Sequence, residues 1–166
     1  MCIRDRYKHQ PVVDIAFNPV NTFRHLLTQD AAIRHLESIS SSLRDGGLYI
    51  IGLHLLPMDA DEVDSEEWDA VDGDLSVHVH LNVESFDRRT RLETLRFTLD
   101  VQDGSKKLQL TSDYQMRIYQ AWQLQDLLAS VPQFEHIATF DFWYDIEDPL
   151  ELNDELGDTV IVLRKR

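Results

Sequence analysis

Residues 12–17, Val12-Val13-Asp14-Ile15-Ala16-Phe17, and residues 48–53, Leu48-Tyr49-Ile50-Ile51-Gly52-Leu53, are apolar at successive rather than alternate positions. That pattern predicts strands buried on both faces, as in the middle of a parallel sheet. The first runs into a polar elbow, Asn18-Pro19-Val20-Asn21-Thr22. Between the two strands Thr28 suits a helix N-cap, Asp30 falls in a first turn where the helix dipole favours an acid, and Ile33, Leu36, Ile39 and Leu43 recur at helical spacing. Arg44 is expected in the last turn and Gly46-Gly47 as the helix stop. A strand, helix and strand unit crosses over right-handedly, which sets the carboxyl ends of both strands side by side. Ligands of open α/β sheets bind at that edge, so the elbow and His54 are the residues to follow.

Working outward, residues 57–74 are strongly acidic, with Trp68 as the only aromatic side chain, and read as a solvated connector. They do not supply the acids, central glycine and closing glutamate of a calcium loop. From residue 75 to 117 the period becomes two. Leu75, Val77, Val79, Leu81 and Val83 alternate with Ser76, His78, His80, Asn82 and Glu84, and the turn signals Arg88-Arg89 and Asp103-Gly104 divide the stretch into three antiparallel strands. His78 and His80 share a strand face, but no third ligand stands at metal-site spacing, so no metal is expected there. A helix over 121–130, a strand over 134–140, an acidic stretch over 141–158 and a final strand over 159–163 complete the chain.

The 166 residues fit one domain, with 16 basic against 30 acidic side chains and a net charge of −14. Such a charge repels a phosphate backbone, which argues against nucleic acid as a partner. The single cysteine, Cys2, rules out an intrachain disulfide and suits a reducing compartment. No apolar run reaches membrane-spanning length and no signal-peptide pattern opens the chain, so the expected setting is the cytoplasm with no membrane partner.

The order of these segments carries a resemblance. Asp14-Ile15-Ala16-Phe17-Asn18-Pro19-Val20-Asn21-Thr22-Phe23-Arg24-His25-Leu26, a helix, then Ser42-Leu43-Arg44-Asp45-Gly46-Gly47-Leu48-Tyr49-Ile50 resembles the middle of a class I S-adenosylmethionine-dependent methyltransferase. The match covers its fourth strand, the following helix and the fifth strand. Asn21-Thr22-Phe23-Arg24-His25-Leu26 is similar to the turn after the fourth strand in glycine N-methyltransferase and related small-molecule enzymes. The alternating segment resembles the strand-rich insert of small-molecule N-methyltransferases, sugar-amine dimethyltransferases among them; Trp68, Arg88, Arg91 and Arg96 fit its outline. In the family that insert covers the substrate or makes a subunit contact, the second of which would here be a homodimer through it.

The resemblance implies an α/β fold: a truncated Rossmann-like methyltransferase sheet, strands four to seven of the family, with a three-stranded antiparallel insert. Residues 1–6 have neither cap nor period and are treated as foreign to the fold. Residues 7–166 then form a single partial domain, with sheet core at 7–57 and 118–166 and connector plus insert at 58–117. None of the six glycines lies in a glycine-rich cofactor loop, so the family's first three strands are expected to be missing and the isolated fragment inactive. The implied cofactor is S-adenosyl-L-methionine and the implied substrate a small molecule, with an amine among the candidates.

By resemblance, Asn18, Pro19, Val20, Asn21 and Thr22 contact the amino-acid part of the cofactor. The alternative is that Asn21-Thr22 merely turns the chain. His25 either faces the same crevice or packs as a hydrogen-bonded histidine. His54 is a substrate contact or base by position. Tyr119, with Tyr114, either lines a substrate pocket or joins the core. Methyl transfer from a sulfonium needs positioning more than acid–base machinery, so no catalytic constellation is expected. The competing reading is a non-catalytic module for small-ligand binding or dimerisation.

Overall fold

The structure, a computed structural model, describes residues 12–60 and 65–166. The expectation for residues 1–6 lies outside the described residues. In chain order the elements are β1 (Val13–Asn18), a 3-10 turn (Thr22–His25), α1 (Gln29–Ser42), β2 (Leu43–His54), β3 (Ser65–Asp72), β4 (Leu75–Asp87), β5 (Leu92–Asp103), β6 (Lys106–Arg117), α2 (Ala121–Ala129), β7 (Phe134–Phe140) and β8 (Asp158–Lys165). They fall into two compact units, one holding residues up to 60 and from 117 onward, the other residues 61–116.

The first unit is a four-stranded mixed sheet in the order β1-β2-β8-β7. β1 runs parallel to β2, with Ile15 beside Leu48 and Asn18 beside Ile51. β8 is antiparallel to both β2 and β7. Tyr49, Ile51 and Leu53 of β2 and Ile161 and Leu163 of β8 are buried, and they share one core with Leu36 and Ile39 of α1 and Leu124 and Leu127 of α2. α1 begins as its cap chemistry requires, because the Thr28 hydroxyl accepts the Ala31 N–H at 3.1 Å.

Three expectations need correction here. β1 is not buried on both faces: Val12, Ile15 and Phe17 are exposed, since β1 has a strand on one side only among the described residues. Nor do Gly46-Gly47 stop the helix. α1 ends at Ser42, Leu43 caps it in an extended conformation, and the glycine pair lies inside β2, where extra residues bulge between the partners of Val13 and Ile15. A Cβ on Gly47 would stand 2.8 Å from the Arg44 carbonyl oxygen and 3.0 Å from that of Asp14, so the bulge needs a residue with none. Arg44, expected in the last helical turn, instead reaches across from β2 to the Asp14 carboxylate.

The second unit is a four-stranded antiparallel sheet in the order β3-β4-β5-β6. The expected insert has three strands. The fourth is β3, formed within the segment read as connector and paired with β4 from Ser65–Asn82 to Asp72–Leu75. All eight of its residues are exposed, so it has no apolar alternation to betray it. What closes the hairpin is the two-residue turn Gly73-Asp74, with Gly73 at φ +59. Trp68 packs its ring 6.1 Å from that of Phe97. No helix among the described residues is long and apolar enough to cross a membrane.

Candidate functional site

The carboxyl ends of β1 and β2 emerge on the same side of the first sheet, as parallel pairing demands. Beyond Asn18 the chain takes two successive left-handed residues, Val20 at φ 48 and Asn21 at φ 59. Val20 pays strain for this, since a β-branched residue rarely adopts positive φ; asparagine tolerates it better. The reversal brings the Asn21 N–H to the Gly52 carbonyl at 2.9 Å and lets the Asn21 side-chain oxygen accept the His54 N–H at 2.7 Å. Gly52 permits the approach: a Cβ there would lie 3.1 Å from Val20 N and 3.5 Å from Pro19 Cα.

The 3-10 turn that follows is anchored from below. Arg24 is buried and donates through Nε to the Arg117 carbonyl at 3.0 Å. The Arg117 guanidinium donates to the Leu27 carbonyl at 3.2 Å and to Gln29 Oε1 at 2.9 Å, and lies over the Tyr119 ring at 5.5 Å. Tyr119 is fully buried with its ring 6.0 Å from Phe23, placing it in the core beneath the elbow. His25 ends the turn, half-buried.

Above the strand ends, His54 keeps 35% of its side-chain surface in solvent, with Nε2 3.5 Å from Asp158 Oδ1. Its ring centroid is 5.2 Å from that of Phe142, which stacks on Tyr144 at 6.2 Å. Asn18 occupies the last position of β1, and its side chain hydrogen-bonds toward the Tyr49 hydroxyl, whose acidity burial suppresses by raising its pKa above the usual value. The Tyr49 oxygen also meets His35 Nε2 at 2.7 Å. Asn18 Oδ1 is buried with no donor among the described residues. A buried oxygen without a donor suits a ligand bearing N–H groups.

The structure thus brings Asn18, Pro19, Val20, Asn21, His54 and the buried Gly52 to one sheet edge, and puts Tyr119 underneath rather than at the surface. Sequence reasoning missed Arg24 and Arg117 as anchors and Asp158 and Phe142 as neighbours of His54. Only Arg24 lay within a recognised motif, and nothing local signals a partner so distant in the chain.

No protein-family model matches the chain, and no curated protein matches it by sequence. Solved structures do. A S-adenosylmethionine-dependent methyltransferase from Clostridium acetobutylicum superposes with a TM-score of 0.76 at 12% identity, covering 98% of this chain and 62% of that one. An amino-pentose methyltransferase from Micromonospora echinaspora gives 0.73 at 11%, covering 98% and 62%. A sugar N-methyltransferase from a Streptoalloteichus species gives 0.73 at 11%, covering 98% and 60%. The mixed α/β architecture is therefore a methyltransferase-like fold. More narrowly, the solved structures that share it include methyltransferases of sugar amines, and the chain spans about 62% of the length of the first of them.

Proposed function

We propose that this chain is part of a class I methyltransferase that moves a methyl group from S-adenosyl-L-methionine to a small-molecule acceptor, an amine by preference. On this reading its first sheet is the truncated Rossmann-like sheet, β1, β2, β7 and β8 being the family's strands four to seven. The observation that carries it is the elbow: a strained turn stitched to the end of the neighbouring parallel strand, beside a buried acceptor without a donor.

The residues fit the amino-acid end of that cofactor. Asn18 Oδ1 and the carbonyls of the elbow are acceptors, matching an ammonium group, and Asn21 fixes their position. When bound, the cofactor supplies an electrophilic methyl group on a sulfonium. The protein's own part is to align and to exclude water, and for an amine acceptor to receive one proton. His54, half-exposed with Asp158 at 3.5 Å, is the group assigned to hold that proton. By resemblance to the family's strand-rich insert, the second unit is proposed to serve substrate recognition or a contact between two copies.

Titration of isotope-labelled chain with S-adenosylhomocysteine, followed by amide NMR, tests this and registers even weak affinity. Shifts centred on residues 18–22 and 52–54 are expected. Shifts elsewhere, or none at millimolar ligand, would leave the non-catalytic module as the better reading.

A further inference from the structure

Glu67 and Asp69 of β3, His78 and His80 of β4 and Asp100 of β5 lie on one face of the second sheet, because Glu67 pairs with His80, Asp69 with His78 and His78 with Asp100 across the strands. Directly opposed residues share a face. Glu67, His78 and His80 each offer a ligand atom within 4.8 Å of the others. The third group that the sequence of β4 lacks comes from the neighbouring strand, in a segment with no apolar signature.

We propose that Glu67, His78 and His80 form a binding site for a divalent first-row metal ion of the zinc class, with Asp69 and Asp100 as supporting carboxylates. His78 sets Nδ1 2.7 Å from Asp69 Oδ1 and turns Nε2 toward Glu67, 4.0 Å from Oε2. His80 sets Nδ1 2.9 Å from Glu67 Oε1 and Nε2 3.5 Å from Asp100 Oδ2. Each ring therefore has one nitrogen toward the shared glutamate and the other toward an outer carboxylate. This is the arrangement in which a metal-bound imidazole is oriented by donating its far N–H to an acid. Bonds of about 2.0–2.1 Å from zinc to nitrogen or oxygen place tetrahedral ligand atoms roughly 3.3 Å apart. The two separations to Glu67, 2.9 and 4.0 Å, bracket that value, and all three ligand atoms lie within 4.8 Å of one another.

Three carboxylates converge on two imidazoles whose ring centroids are only 4.2 Å apart, in a chain of net charge −14. Two imidazoles also favour zinc-like ions over calcium or magnesium, which prefer all-oxygen shells. An open groove lies beside His78, Asp69 and Asp100, lined also by Ser76, Lys107 and Gln109. The function of such an ion is structural: it pins β3, exposed along its whole length, to the middle of its sheet.

Calorimetric titration of zinc chloride into the full chain tests this. One equivalent is expected to bind, weakened about 100-fold in the His78→Gln/His80→Gln double variant and about 10–100-fold in Asp69→Asn, the range for loss of an outer carboxylate. Calcium chloride should give no comparable binding. Zinc affinity unchanged in the double variant, absent in the wild type, or matched by calcium would overturn the assignment. If the double variant fails to fold, the imidazole proton resonances of His78 and His80 in the wild type decide: shifts of both at one zinc equivalent support the site, and shifts of neither refute it.

Discussion

The side-chain oxygen of Asn21 accepts the backbone N–H of His54 at 2.7 Å, which closes the end of one parallel strand onto the end of its neighbour. The contact needs a residue that is both content in the left-handed region and equipped with a short acceptor, and Asn21 sits there at φ 59. Local backbone strain, a tight glycine approach and a buried amide all converge on the same few residues.

Replacing Asn21 by alanine should therefore cost about 1–3 kcal/mol, the penalty for a partly buried N–H that loses its acceptor. Asn21→Gly keeps the backbone freedom but not the acceptor, and should recover only the part due to φ. Urea denaturation of both variants separates the two contributions; equal stability of all three proteins would remove the contact from the account of the fold.

Gly52→Ala places a methyl 3.1 Å from Val20 N, closer than most real contacts, against backbone that is already strained. The elbow must shift by a few tenths of an ångström. We expect a loss of about 1–3 kcal/mol, as for other overpacked sites, and amide shifts at Val20 and Asn21 larger than those elsewhere. An unperturbed elbow spectrum in this variant would contradict the close approach.

Burial raises the pKa of the Tyr49 phenol above its ordinary 10.0. The folded state thus holds its proton where the unfolded state releases it, so stability is full below the free phenol's value and falls as pH rises past it. Tyr49→Phe should flatten that alkaline loss while lowering stability at neutral pH, because His35 Nε2 loses a partner at 2.7 Å. Urea midpoints from pH 8 to pH 11, roughly spanning the ordinary tyrosine range, read both effects. A wild type and variant with parallel alkaline profiles would show that Tyr49 is not the group responsible.

In the second unit Arg96 grips Asp113 with two hydrogen bonds of 2.9 Å and holds its carboxyl below the usual carboxylate range. A depressed carboxyl stabilises above its unfolded pKa and ceases to do so as pH falls through its folded one. Asp113→Asn should make the sheet less sensitive to acid between those limits. The effect is small because both groups are exposed and solvent screens them. Hydrogen exchange of β5 and β6 amides at falling pH is the measurement, and an unchanged acid response in the variant counts against the pair.

What the sequence disclosed and what it hid follow from range and burial. The cap of α1 was legible because Thr28 and Ala31 are three residues apart, and the parallel pair was legible because its apolar runs are continuous. Gly46-Gly47 misled because a glycine pair serves a helix stop and a strand bulge equally well, and only the carbonyl of Asp14 chooses between them. β3 escaped because hydrophobic periodicity reports burial and β3 has none. Glu67 escaped with it, so His78 and His80 looked short of a third group. The position of Asn18–Thr22 and His54 at one sheet edge was readable from topology, whereas the anchoring of Arg24 by Arg117 depends on a contact between residues far apart in the chain.

β1 carries the last prediction. Ile15 is 53% exposed and Phe17 73%, on a strand with one free edge among the described residues. Unpaired N–H and C=O groups beside exposed apolar side chains are a template for pairing with another strand. The isolated chain should associate increasingly with concentration, and Phe17→Lys should suppress this by placing a charge where a second copy would dock. Sedimentation velocity over a hundredfold range of concentration is the check. A wild type that stays monomeric throughout, or a Phe17→Lys variant that associates as strongly, would mean that β1 is not the adhesive edge.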